Sequence, residues 1–179
     1  MIYEIYTYMH LVGFALGFGG AMVSDAMFFS SIKDRKVTTS EFRFMRLGSR
    51  MVWIGLLLLF LSGVALVFLN STILQSSKFL IKVVIVGVIA LNGLVFHIYH
   101  LPQIQHHLNR SVRTSEFFRN KGYLLTMSGG ISVVSWFSAA LMGSLPGLPF
   151  SFLQLLGIYA CLFVSAVVAG GLMHKKIFS

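Results

Sequence analysis

The chain has 179 residues, is 56% hydrophobic, and has a mean hydropathy of +0.84 with only 11% charged residues. Soluble domains carry about 25% charged residues, so a soluble globular domain is excluded and a single integral membrane domain is implied. The formal charge of +9 does not signal nucleic acid, because the basic residues are sorted by loop. The one cysteine, Cys161, lies in an apolar run, which rules out an intramolecular disulfide.

A spanning helix needs about 20 mostly apolar residues. Five segments qualify: Tyr3–Ser30, Met51–Leu69, Phe79–Leu101, Tyr123–Gly143 and Phe150–His174. The expected fold is all-α, a bundle of four transmembrane helices with a fifth added. The opening Met1-Ile-Tyr-Glu-Ile-Tyr lacks the basic region of a cleaved signal peptide, so helix one is expected to be retained. The loop after helix one carries Lys33, Arg35, Lys36, Arg43, Arg46 and Arg50, the loop after helix three Arg110, Arg113, Arg119 and Lys121, and the tail Lys175 and Lys176. Only Lys78 and Lys82, of 14 basic residues, belong to the other side. The positive-inside rule then puts the N-terminus outside and the C-terminus in the cytoplasm, with anionic lipid headgroups as partners of the basic face.

Thr39-Ser-Glu-Phe-Arg43 recurs 75 residues later as Thr114-Ser-Glu-Phe-Phe-Arg119. Both stretches follow a span and open the next. Thr38 and Glu41 have capping-box spacing, so helix two is expected to begin inside the loop. The same offset pairs Asp25 with His100 and Gly55 with Gly130. Two readings stand: a parallel repeat with halves 1–75 and 76–149 plus a fifth helix at 150–174, or convergence of two helix starts.

Ionisable groups are costly inside a bilayer and mark ligands, pathways or partners. Counting the helix rise places them in two layers, about 20 Å apart. The outer layer holds His10 and Lys82. The inner layer holds Asp25, His97, His100 and His174. On helix one, His10, Gly13, Gly17, Gly20 and Ser24 share a face, a pattern that fits close helix packing and also a groove admitting a flat cofactor to His10. His97 and His100 share a face, as metal ligands or as interfacial residues. His106 and His107 are expected in a solvated loop, and His174 is expected to anchor its helix. Asp25 is read either as the partner of Lys33, Arg35 or a histidine, or as a catalytic acid.

The run His10-Leu-Val-Gly-Phe-Ala-Leu-Gly-Phe-Gly-Gly20 resembles the opening helix of a group of small bacterial membrane proteins. That group includes the copper-resistance protein D family and the oxygen-independent protoporphyrinogen oxidases that bind haem b. The resemblance covers helices one to three. Lys82, in Phe79-Leu-Ile-Lys-Val-Val, matches an early third-helix lysine of the oxidase family, and His97 or His100 matches a histidine near the end of that helix. Gly17 stands where tryptophan is usual in the group, and this chain has a fifth span. The resemblance implies haem b, His10 as an iron ligand, Lys82 as a functional partner and a bacterial cytoplasmic membrane.

Three functions follow from different classes. The first is a haem b protein in electron transport, an oxidoreductase acting on a porphyrin or quinone substrate, with His10, His97 and His100 as metal ligands, Gly17 and Gly20 beside the cofactor, and Lys82 and Asp25 catalytic. The second is a copper or other metal carrier using His and Met; the methionines are scattered and form no ladder. The third is an accessory subunit of a larger membrane complex or homo-oligomer.

Overall fold

In the computed structural model, residues 1–33, 36–109, 115–145 and 149–178 are described. Arg35, Arg110, Arg113, Thr114 and the side chain of Lys33 lie outside this description, so the pairing of Asp25 with Lys33 or Arg35 does too. The described elements are α1 (Ile2–Lys33), α2 (Thr39–Leu69), a 3-10 turn (Ser71–Gln75), α3 (Ser77–Val95), a π-helical turn (Phe96–His100), α4 (Leu101–His106), α5 (Glu116–Ser144) and α6 (Phe152–Phe178). With α3, the π-turn and α4 forming one rod, five helices are long and apolar enough to cross a membrane. The all-α fold with five apolar helices is as the sequence predicts, though several helices run past the apolar segments.

Local chemistry explains those extensions. Helix α2 does begin in the loop. Thr38, with extended backbone, caps it: the Glu41 N–H donates to Thr38 Oγ1 and the Thr38 N–H donates to Glu41 Oε2 at 2.7 Å, the reciprocal bonds of a capping box. The third rod widens into a π-turn just before Pro102. Proline has no N–H and its ring crowds the carbonyl four residues back, and the Leu101 N–H bonds instead to Phe96 O. Asn109, at φ 58°, ends the segment after α4, a left-handed position that asparagine tolerates.

The register of α1 against α2 is antiparallel and close. A Cβ built on Gly13 meets Gly55 O at 3.0 Å, one on Gly20 meets Gly48 O at 2.6 Å, and one on Gly55 meets Gly13 O at 2.6 Å. Small residues at these positions bring the two backbones together where lipid supplies no hydrophobic drive. Helices α5 and α6 form a second antiparallel pair: Gly130 faces Ala166 O, and Gly170 faces the Met127 backbone. Helix α3 joins this pair through an isoleucine stripe, Ile81, Ile85 and Ile89, each at most 3% exposed. Between the groups lies a seam filled by side chains, where Phe14, Phe18 and Trp136 pack edge and face. A second core gathers Phe28, Val37, Met45, Ile104 and Phe118 at the basic end.

The repeated segments both open helices, but their starts differ. Helix α5 begins at Glu116 behind Ser115, whose side chain makes no cap bond.

Candidate functional site

The polar residues fall in two layers, at opposite ends of the seam. At the far end, His10 Nδ1 lies 3.0 Å from Ser62 Oγ on α2. Ser62 is fully buried, and its hydroxyl donates to Leu58 O at 2.5 Å. When the Ser62 proton is on Leu58 O, Ser62 accepts from His10 Nδ1–H, the tautomer that keeps a lone pair on Nε2. The ring also sits near the Leu59 carbonyl and within electrostatic reach of Lys82. The structure therefore brings His10 and Lys82 into one layer. Lys82 is half-buried, has no hydrogen-bond acceptor among the described residues, and feels Lys78 one turn before it. Lys78 itself donates to the Leu145 carbonyl at the end of α5.

The glycine face below His10 is occupied. The Trp136 indole lies on Gly17, and Gly20 faces Gly48 and Met51 of α2. Helix packing accounts for both positions, and the flat group over Gly17 is the protein's own tryptophan.

The layer toward the basic end surrounds a cavity of ≈ 40 Å³, room for roughly three waters. Asp25 and Ser24 reach it from α1, Ser49 from α2, Asn92 from α3, and Ser128 and Ser132 from α5. Asp25 retains some surface as a residue, but its Oδ2 is sealed and has no hydrogen-bond partner among the described residues. The Ser132 hydroxyl lies near the carboxylate. Asn92 and Ser128 bond twice: Ser128 Oγ donates to Asn92 Oδ1 at 2.9 Å, and Asn92 Nδ2 donates to Ser128 O at 3.1 Å. Sequence reasoning missed Asn92, Ser49 and Ser132. A lone asparagine in an apolar helix was the available signal for the first.

The three histidines predicted for this layer separate. His97 is exposed and lies 3.1 Å from Ser49 Oγ through Nδ1. His100 is 1% exposed and packed against Phe96 and Tyr99, and its Nδ1 has no partner among the described residues. The π-turn turns their rings apart, one to a serine and one into apolar packing. His174 lies with Nε2 3.2 Å from Phe118 O, fastening α6 to the start of α5. His107 departs from the solvated expectation: its ring stacks on Phe117 with centroids 5.1 Å apart and its Nδ1 lies 2.8 Å from Gln103 O. His106 is exposed.

No group of three or more His, Cys, Asp or Glu among the described residues is arranged to hold a metal ion. A haem differs from such a cluster, since one imidazole on iron suffices for the protein's share. His10 fits that role in its Nδ1–H tautomer, with Ser62 fixing the ring as a supporting hydrogen bond does in metal sites, and Lys82 fits as a partner for a carboxylate of the cofactor. His97 and His100 do not converge on a common point with His10. The class defined by fold and layers is an all-α bundle of five apolar helices with ionisable groups inside. No family model, no curated protein and no solved structure matches the chain.

Proposed function

We propose that this is a multi-pass protein of a bacterial cytoplasmic membrane that holds haem b at its far layer and serves electron transfer or the oxidation of a porphyrinogen or quinol. The observation that carries the reading is the His10–Ser62 bond: in its Nδ1–H tautomer His10 keeps a lone pair on Nε2, in a layer with the half-buried Lys82. Lys82 offers positive charge to a propionate in a region of low dielectric, where a charge-assisted bond is strong. The haem, when bound, supplies one-electron chemistry, and the chain's own residues hold, orient and screen it. The basic end lies in the cytoplasm, as the sorting of lysine and arginine favours.

A reduced-minus-oxidised spectrum of protein purified from haem-replete cells tests this. The expected result is a b-type spectrum. His10→Ala is expected to lose or shift the Soret band while the protein still inserts, and Lys82→Ala to lower turnover more than haem content. A colourless wild type, or an unchanged haem spectrum in His10→Ala, would remove the assignment.

A second reading is favoured by the filled glycine face. In it the His10–Ser62 bond clasps α1 to α2, with a worth of about 1 kcal/mol, and the protein is an accessory subunit of a membrane complex. A colourless protein that co-purifies with fixed partners, and in which His10→Ala changes only stability, selects it.

A further inference from the structure

The Asp25 cavity is unbalanced in its hydrogen bonding. Ser24 Oγ donates its proton to Met45 O at 3.1 Å. Ser128 Oγ donates to Asn92 Oδ1, and Asn92 Nδ2 donates to Ser128 O. Ser49 Oγ is 3.1 Å from His97 Nδ1. With these protons committed, the hydroxyl oxygens of Ser24 and Ser128 offer lone pairs toward the cavity, beside the Ser49 hydroxyl and the second N–H of Asn92. Asp25 Oδ2 adds an acceptor that nothing among the described residues satisfies, and the Ser132 hydroxyl lies near the carboxylate. Among the described residues, no lysine, arginine or histidine lines the space. A carboxylate in such a place must be compensated, by a proton or by a cation, because an uncompensated buried charge is too costly to keep.

Four further features describe what would compensate it. The lining donors are oxygens only, the set that hard cations prefer over transition metals. There is one carboxylate, which neutralises one positive charge. Divalent sites draw on more carboxylates or on bound phosphates. The volume of ≈ 40 Å³ admits a small ion with a water or two. The carboxylate and hydroxyls come from α1, α2 and α5, so an ion there would tie the two helix groups together across the seam.

We propose that this cavity is a binding site for one small monovalent cation of the sodium class, held by Asp25 with the hydroxyls of Ser24, Ser49 and Ser132. The proposal does not depend on the haem reading, which concerns the opposite end of the bundle.

The test is thermal unfolding of the full chain in nanodiscs at mildly alkaline pH, with NaCl exchanged against N-methyl-D-glucamine chloride at fixed ionic strength. A ligand that binds only the folded state raises its stability with concentration. The expected result is a melting-temperature rise of roughly 5 °C at a hundredfold excess of Na⁺ over its dissociation constant, with a smaller response to K⁺. Asp25→Asn keeps the shape and removes the charge, so it should fold and lose the response. Ser49→Ala, which leaves the carboxylate in place, should weaken the response several-fold. Equal Na⁺ responses in wild type and Asp25→Asn would overturn the proposal. So would a wild type indifferent to Na⁺ whose stability follows pH alone, since the carboxylate would then hold a proton. A response to Ca²⁺ without one to Na⁺ overturns it as well.

Discussion

The α1–α2 hairpin and the α3–α5 hairpin enter their second helices through nearly the same residues, yet they close in different ways. In the first, glycines meet carbonyls across the interface, and the backbones touch from Gly13 to Gly20 of α1 against Gly48 to Gly55 of α2. In the second, the facing residues are Asn92 and Ser128, and the glycine equivalent to Gly55, Gly130, faces α6 instead of α3. Gly87 of α3 meets nothing within 4 Å. One hairpin is thus self-sufficient, and the other relies on a polar clasp and on an added helix. The polar cavity lies where the two modes meet, because a zipped pair set against a side-chain-spaced group leaves a seam that small polar residues line without filling.

The largest expected effect breaks the first mode. A Cβ on Gly55 would stand 2.5 Å from Gly17 N and 2.6 Å from Gly13 O. Both are backbone atoms that yield only if the helices part. Gly55→Leu is expected to cost about 3 kcal/mol or more, read as a lost melting transition or a shifted elution in detergent. Gly87→Ala, where the Cβ meets open space, should be neutral or stabilising by up to about 1 kcal/mol, since alanine outranks glycine in a helix. Equal losses at the two positions would contradict the difference between the hairpins.

The second mode should break more gently. Asn92→Leu removes both bonds to Ser128 and leaves a serine hydroxyl to rebond along its own helix. The expected loss is about 1–2 kcal/mol, measured by thermal unfolding. Combining it with Ser128→Ala should add little to the loss, because the pair acts as one interaction. Full additivity would mean that the two residues do not hold α3 to α5 as a unit.

Much of this frame is legible in the sequence, and the reasons are physical. Apolar length reveals helices because every backbone polar group in lipid must be paired within its own segment. The Thr38–Glu41 spacing reveals the start of α2 because a capping box is local. The layering of His10 with Lys82 follows from the helix rise alone. Partners across helices are less legible. Asp25 meets Ser132 and His97 meets Ser49, and neither pairing has a sequence signal, because rotation about each helix axis is set by packing. The glycine stripe shows the same limit: its spacing gives a face, and only the tertiary structure shows that α2 and Trp136 fill it. His97 and His100 share a face on a regular helix, but the π-turn before Pro102 changes the angle between successive residues and sends them to different surroundings.

The smallest expected effect compares the two helix starts. Thr38 and Glu41 exchange bonds in both directions, with the Thr38 hydroxyl donating to Glu41 Oε2 at 2.7 Å as well. Thr38→Ala leaves the Glu41 N–H without its acceptor, and a lost N-cap of this kind costs about 1 kcal/mol. Ser115 holds the N-cap position before α5, though the repeat aligns it with Ser40, and its Oγ is buried with no partner among the described residues. Ser115→Ala removes a hydroxyl that gains nothing from the fold, so it should change stability by less than about 0.5 kcal/mol or raise it slightly. Melting curves of the two single variants in the same nanodisc read the difference directly. A loss at Ser115 equal to that at Thr38 would mean that the second start is capped after all, and the two hairpins would then be more alike than their interfaces indicate.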